Sequence, residues 1–312
     1  MARTIGVFSG KGGVGKTTLV ANLGAALSNN FHKNVVVFDS NVHSSHLGLH
    51  FGLYEDLPVT LREVLRGRTP IMQAVYIHPT TGMRIIPAPL NGEGLELTKE
   101  KCVNLINQVR KNYDVVILDC APGLGKEVLV PMQAVDEAIV ISTADIASVT
   151  DAMKTIELLK KFKKSILGIV INRYRHQKYE LTPEEISSTS NYNVVAVIPE
   201  DSKIPESISK GLPAVISYPG SKASIAFKQF TAALINEPYK ESSLIERLKG
   251  LFNFRLPALP KREVTQAVPP QVMKKEVSDV VELKEDLTEE IKEELKREIM
   301  KKVRAKLREK GI

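Results

Sequence analysis

Short uninterrupted apolar runs punctuate the first 240 positions of the chain, at 4–8, 35–38, 83–87, 113–118, 138–142, 166–171 and 194–198. They are rich in β-branched residues and do not alternate with polar ones, which is the pattern of strands covered on both faces. Between them apolar residues recur at helical spacing, first and most plainly as Leu19, Val20, Leu23, Ala26 and Leu27. Strand and helix in alternation predict an α/β chain with a doubly wound, mainly parallel sheet. In such a sheet ligands gather beyond the carboxyl ends of the strands. Three polar residues stand there at once: Asp39 after Phe38, Asp119 after Leu118 and Asn172 after Ile171.

The pattern changes after Pro238. Leu244, Ile245, Leu248, Leu251 and Phe252 form one stripe of a helix, with Arg247, Lys249 and Arg255 beside it. That is the distribution of a helix lying in a membrane interface with its cations at anionic headgroups; packing on its own domain is the other outcome. Pro257, Pro260, Pro269 and Pro270 then mark a linker. Residues 280–312 read as a charged helix, glutamates early and cations late, in keeping with the helix dipole. Its apolar residues recur every four positions, so the stripe drifts around the helix and does not hold a heptad seam. The predicted organisation is a domain at 1–240, an amphipathic helix at 241–256, a linker at 257–279 and a terminal helix at 280–312.

Candidate chemistry is concentrated between the first strand and the first helix. Gly10, Gly15, Lys16 and Thr17 satisfy G-x-x-x-x-G-K-[ST], and the strand before and helix after supply the context that the motif requires. Glycines let successive backbone N–H groups turn inward around phosphate oxygens, and the helix N-terminus adds its dipole. Lys16 supplies a point charge and Thr17 a hydroxyl for Mg²⁺. This is a nucleoside-triphosphate loop. Lys11, directly after the first glycine, adds nothing to the turn, so it reaches either its own phosphates or those of another molecule.

The stretch Lys11-Gly12-Gly13-Val14-Gly15-Lys16-Thr17-Thr18 resembles the deviant Walker A box of the MinD/ParA family of dimerising ATPases, particularly archaeal MinD-like proteins. Val35 to Asp39 resembles the second strand with its switch I aspartate, and Leu47 to Gly52 fits the segment after it. Val115 to Asp119 resembles Walker B, and Cys120 to Gly125, which includes Gly123, resembles switch II. Asn172 and Arg173 match the adenine-facing strand end, and Pro199, Glu200 and Asp201 the loop closing over the base. The resemblance covers about residues 3 to 236. It implies ATP/ADP with Mg²⁺ as cofactors, Thr17 on the metal directly, and Asp39 and Asp119 on its water ligands. It further implies that Lys11 crosses to the partner's nucleotide in a homodimer with ATP sandwiched, and that the 241–256 helix is a membrane-targeting element. One position departs from the family. Switch I carries Asp39-Ser40-Asn41 where a second carboxylate is usual. An amide holds a water but accepts no proton, so hydrolysis is expected to be slow, unless positioning the water suffices.

Composition narrows the rest. Hydrophobic residues make up 43% of the 312, ample for a core, and no run approaches the roughly 18 apolar residues of a membrane span. The start of the chain shows no apolar targeting region, and the two cysteines, Cys102 and Cys120, form no C-x-x-C. A reducing cytoplasm is expected, and the missing C-x-x-C argues against iron–sulfur carriers that share this loop. The net charge of +7 is spread over the whole chain and marks no dedicated nucleic-acid field. Lys160, Lys161, Lys163 and Lys164, with Arg173, Arg175 and Lys178, read as a solvated face, with nonspecific DNA contact as the sharper option. His43, His46 and His50 would share a face only if helical, and are read as polar surface near switch I, not as metal ligands. Ser148 to Asp151 has capping-box spacing and predicts a helix start.

The expected function is an ATP-dependent dimerising switch, cytoplasmic and peripheral on the inner face of the cell membrane, positioning itself or a cargo with a protein partner that the sequence does not name. Two alternatives stand beside it: a nearly inactive, nucleotide-locked scaffold recruiting a partner through its C-terminal helix, and a DNA-associated partition ATPase.

Overall fold

The computed structural model describes residues 2–239 apart from positions 44, 54–56, 91 and 93, so the 241–256 stripe, the 257–279 linker and the 280–312 helix lie outside the described residues. The chain runs β1 (Arg3–Phe8), α1 (Lys16–Ala25, prolonged by a π-helical turn over Ala26–Asn30), β2 (Val35–Asp39), α2 (Leu61–Leu65), β3 (Tyr76–Ile77) and β4 (Arg84–Ile86). It continues with α3 (Lys99–Val109), β5 (Val115–Asp119), α4 (Lys126–Ala134), β6 (Glu137–Ser142), α5 (Ile146–Lys161) and β7 (Ser165–Tyr174). Last come α6 (Pro183–Ser190), β8 (Val194–Pro199), α7 (Lys203–Ser209), α8 (Ala214–Ser217) and α9 (Lys222–Ile235).

The strands form one sheet in the order β3-β4-β2-β5-β1-β6-β7-β8, parallel throughout except for β3. The doubly wound expectation holds. The two-residue strand β3 has no counterpart in the apolar pattern, because it is a short hairpin edge with Ile77 exposed.

Successive strand residues serve opposite cores. Val36 and Phe38 of β2 join Leu118, Val128, Ile156 and Ile186 under α3 to α6, whereas Val35 and Val37 join Leu19, Leu23, Phe227 and Phe230 under α1 and α9. Both faces being covered is why the strands read as unbroken apolar runs. With β1 between β5 and β6, the loop leaving its carboxyl end opens over the middle of the sheet.

Helix α5 begins earlier than the Ser148 spacing predicts. Asp145 is its N-cap, and the Asp145 carboxylate accepts the Ser148 N–H at 2.9 Å, so Ser148 sits inside the first turn. An acceptor three residues upstream satisfies the orphan N–H groups better than a serine within the helix.

His78 ties the β3–β4 turn to its surroundings. Only 4% exposed, its Nδ1 accepts from the Thr81 N–H at 3.2 Å, and its ring packs edge-on against Phe51 with centroids 5.6 Å apart. Burial pushes its pKa below the ordinary histidine value, so the folded protein protonates it less readily than the unfolded chain does. The unfolded chain binds the extra proton once the pH falls below about 6.5, and this group's contribution to stability drops in that direction. Asp39 and Asp119, whose pKa values are raised by burial, contribute to the acid response with the opposite sign, so His78 is read from the difference between two proteins: between pH 7.5 and 5.5 the melting temperature of His78→Gln should fall less, or rise more, than the parent's. Equal slopes in the two proteins would remove His78 from the acid response.

Candidate nucleotide site

The loop 9–15 folds back on its own backbone before α1 begins. Ser9 Oγ donates to the Lys11 carbonyl at 2.8 Å, and the Gly123 N–H donates to the Ser9 carbonyl at 3.0 Å, which joins the loop to the segment after β5. Gly10 is required by packing: a Cβ there would lie 2.2 Å from the Asp151 carbonyl oxygen of α5. Gly15 takes φ 96° as the N-cap of α1, and its carbonyl accepts the first helical hydrogen bond from Leu19 at 2.9 Å. The left-handed conformation costs glycine nothing and any side chain something.

The two lysines of the loop are placed oppositely. Lys16 is 7% exposed and its pKa is lowered by burial, against the opposing pull of Asp119. Lys11, with Gly12 and Gly13, stands exposed on the outer side. A buried cation needs a partner, and Lys16 has a carboxylate and the loop's interior before it.

Asp39 and Asp119 are register partners at the carboxyl ends of β2 and β5 and are both buried. Burial raises the pKa of each carboxyl; the Asp119 charge raises that of Asp39 further, while Lys16 and a hydrogen bond from Thr17 draw that of Asp119 back. Asp39 is wrapped by its own loop, taking the Asn41 N–H at 3.0 Å and the Ser45 hydroxyl at 2.5 Å. Asp119 differs: its Oδ1 is buried without a hydrogen-bond partner. Two buried carboxylates, one with an orphaned oxygen, next to a threonine hydroxyl make an all-oxygen donor set of the kind that suits a hard divalent cation such as Mg²⁺.

Asn172 closes the site from β7. Its Nδ2 donates to the Val14 carbonyl at 2.8 Å. Arg173 beside it is exposed, and Pro199 ends β8. Arg175 reaches Glu200 at 3.6 Å. Asp201 is occupied otherwise: its carboxylate takes the Lys203 N–H at 2.9 Å and the Ala223 N–H at 3.0 Å, bridging the starts of α7 and α9. Leu244, Ile245, Leu248, Leu251 and Phe252 lie outside the described residues.

Three contributors were not legible in the sequence. Ser45 holds Asp39, and Ser9 props Lys11. His50 lies on a short 3₁₀ turn over Gly48–Phe51 with Nε2 3.2 Å from Thr18 Oγ1, and burial lowers its pKa. His43 and His46 do not share that turn, and among the described residues no group of three or more His, Cys, Asp or Glu is placed to hold a metal ion. The lysine-rich end of α5 is partly spent on structure. Lys164 donates to the Gln133 and Val135 carbonyls at 2.8 and 2.9 Å, and Lys160 pairs with Glu157 at 2.6 Å.

Comparison with known proteins adds the context. The family model described as ParA, NUBPL iron-transfer P-loop NTPase, matches residues 1–235. An uncharacterized ATP-binding protein of Methanocaldococcus jannaschii is 37% identical over 263 residues, covering 82% of this chain and 98% of that protein. The septum site-determining protein MinD of Synechocystis is 31% identical over 239 residues, covering 75% of this chain and 90% of its own length. Among solved structures, MinD of Pyrococcus horikoshii complexed with Mg-ADP superimposes with a TM-score of 0.71 at 33% identity, covering 75% of this chain and 96% of that one.

Proposed function

The chain belongs to the ParA family of P-loop NTPases and is an ATPase related to the septum-site protein MinD, and on that footing we propose that it is a switch that dimerises around ATP, hydrolyses it slowly, and uses the ATP dimer to hold a C-terminal amphipathic helix on an anionic membrane. Its cofactors are ATP/ADP and Mg²⁺. The observation that carries the switch reading is the split between the two loop lysines, one buried toward Asp119 and one exposed beyond the loop. Lys11 is close enough to Asp145 for its charge to be felt by that carboxyl, yet it stays exposed and within reach of a facing molecule.

In this reading Lys16 and the N–H groups from Gly10 to Thr18 bind the phosphates, and Thr17, Asp39 and Asp119 hold the Mg²⁺ and its waters. Mg²⁺ supplies charge neutralisation as the γ-phosphate leaves. Asn41 orients the attacking water without taking its proton. Gly123, Asn172, Arg173, Pro199 and Glu200 complete the pocket for the nucleotide, with Asp201 holding the base-side loop in shape. Lys11 completes the site of the second copy. The cytoplasmic face of the membrane, where anionic lipid meets a reducing compartment, is the proposed location.

One amphipathic helix of this length binds marginally, and two held together gain effective concentration, so the dimer sets the affinity. In sedimentation with anionic liposomes, the protein should pellet with ATP and stay largely in solution with ADP or without nucleotide. Leu248→Glu should abolish pelleting while ATP binding persists, since the charge would enter the apolar boundary. A Leu248→Glu protein that still pellets in ATP would remove this helix as the anchor.

The nucleotide-locked scaffold is favoured by Asn41 alone and is separated by steady-state turnover. The DNA-partition reading ranks third, because Lys160 and Lys164 are engaged within the fold and the charge is spread evenly. The absence of a C-x-x-C weighs against an iron-transfer role.

A further inference from the structure

The end of β7 is irregular in a way that the ladder alone does not require. Ile171 pairs with Val197 and the next register partners are Tyr174 and Pro199, so Asn172 and Arg173 together stand against a single residue of β8. Arg173 takes φ 56°, a left-handed conformation that a long side chain adopts only when its surroundings impose it. Bulges of this kind re-aim a side chain. Here the one re-aimed is Asn172: 6% exposed, it points past the intervening strand β6 into the phosphate loop and donates to the Val14 carbonyl at 2.8 Å. The loop is cut to receive it. A Cβ on Gly15 would lie 2.2 Å from Asn172 Nδ2, so the glycine that caps α1 is also the one against which the amide rests.

We propose that Asn172 is a positioning residue for the triphosphate loop: the β7 bulge turns its amide onto the Val14 carbonyl, fixes the peptide between Val14 and Gly15, and thereby orients the N–H groups and Lys16 that receive the phosphates. The proposal rests on the nucleotide-site reading above and gives Asn172 a role at the phosphate end, separate from the base contact that the family resemblance implies. The Val14 carbonyl would otherwise be left without this donor, and the loop would be free to turn its peptides away from the site.

The two roles make opposite demands on ligands that differ only in the base. A base-reading residue is indifferent to tripolyphosphate and sets the preference for ATP over GTP. A loop brace acts on every ligand that carries the phosphates and leaves the preference alone. We expect Asn172→Ala to weaken calorimetric binding of Mg²⁺-tripolyphosphate and of Mg²⁺-ATP by a similar factor, about tenfold, the scale of one buried hydrogen bond, with the ATP-to-GTP affinity ratio within twofold of the parent. Asn172→Asp keeps the size and packing but turns an acceptor toward the Val14 carbonyl, so it should lose at least as much; it keeps the test available if the truncated variant does not fold. A melting temperature unchanged within a few degrees separates the brace from general destabilisation. Tripolyphosphate affinity equal to the parent's while ATP affinity falls, or a collapsed ATP-to-GTP ratio, would overturn the brace and leave Asn172 a base reader. A parent protein that binds neither ATP nor tripolyphosphate would overturn the nucleotide-site reading itself.

Discussion

Lys16→Ala should lose ATP affinity by about a hundredfold or more, whereas Lys11→Ala should bind ATP within about threefold of the parent and fail to dimerise in its presence. The asymmetry follows from where the two ammonium groups sit. Lys16 is buried before Asp119, and an ammonium that makes two charge-assisted hydrogen bonds to phosphate oxygens, at about 1.5–3 kcal/mol each, supplies about a hundredfold or more of affinity. Its loss also leaves Asp119, with an unpartnered oxygen, facing the incoming phosphates without its nearest cation. Lys11 is exposed, and the loop around it is set by the Ser9 hydroxyl on its carbonyl and by Gly123 on Ser9, not by its side chain. Truncation at the Cβ therefore leaves the loop as it is. Equilibrium binding of ATP, together with sedimentation in ATP and in ADP, separates the two effects. Equal losses of nucleotide affinity in both variants would refute the cross-interface role of Lys11, and an ATP-dependent dimer of Lys11→Ala would do so independently.

What the sequence disclosed and what it withheld divide along one physical line. The phosphate loop is contiguous, so its glycines, Lys16 and Thr17 are read from spacing alone. Asp39 and Asp119 were legible because each ends an apolar run, and the parallel register of β2 against β5 does the rest. The contacts that assemble the site across the sheet leave no such trace. The Asn172 amide reaches Val14 over 158 positions of sequence, from a point where the register of β7 on β8 shifts. His50 meets Thr18 because a single 3₁₀ turn happens to pack on α1, and nothing in the spacing of His43, His46 and His50 announces which of them does so. Helix α5 starts ahead of the Ser148 spacing for a simpler reason. Two acceptors, Asp145 and Ser148, stand three apart, and the carboxylate, which takes the stronger charge-assisted bond, is the one that starts the helix.

Asn41→Asp should raise single-turnover ATP hydrolysis severalfold to about a hundredfold, the lower part of what a positioned acid–base group contributes. The backbone at this position is held by its N–H donating to Asp39 Oδ1 at 3.0 Å, a bond that the exchange of amide for carboxylate keeps. The amide can fix a water by hydrogen bonding but does not take the proton released as that water attacks, which in the parent passes to the γ-phosphate's own oxygens; the acid adds a positioned acceptor. ATP affinity should stay within about twofold, because the proposed site gives the phosphates to the loop and Lys16 and only the attacking water to residue 41. A third carboxylate beside two that already repel each other has a second consequence. The variant should melt below the parent without Mg²⁺ and recover most of the difference with Mg²⁺ and nucleotide, since the cation offsets the added charge. A faster hydrolysis shortens the life of the ATP dimer, and the variant should leave anionic liposomes sooner than the parent under the same ATP supply. An unchanged or lower rate, with the metal-dependent melting shift present, would mean that the new carboxylate is in place and that the chain activates water by another group. The slow-timer reading of Asn41 would then fall, while the assignment of Thr17, Asp39 and Asp119 to Mg²⁺ would stand.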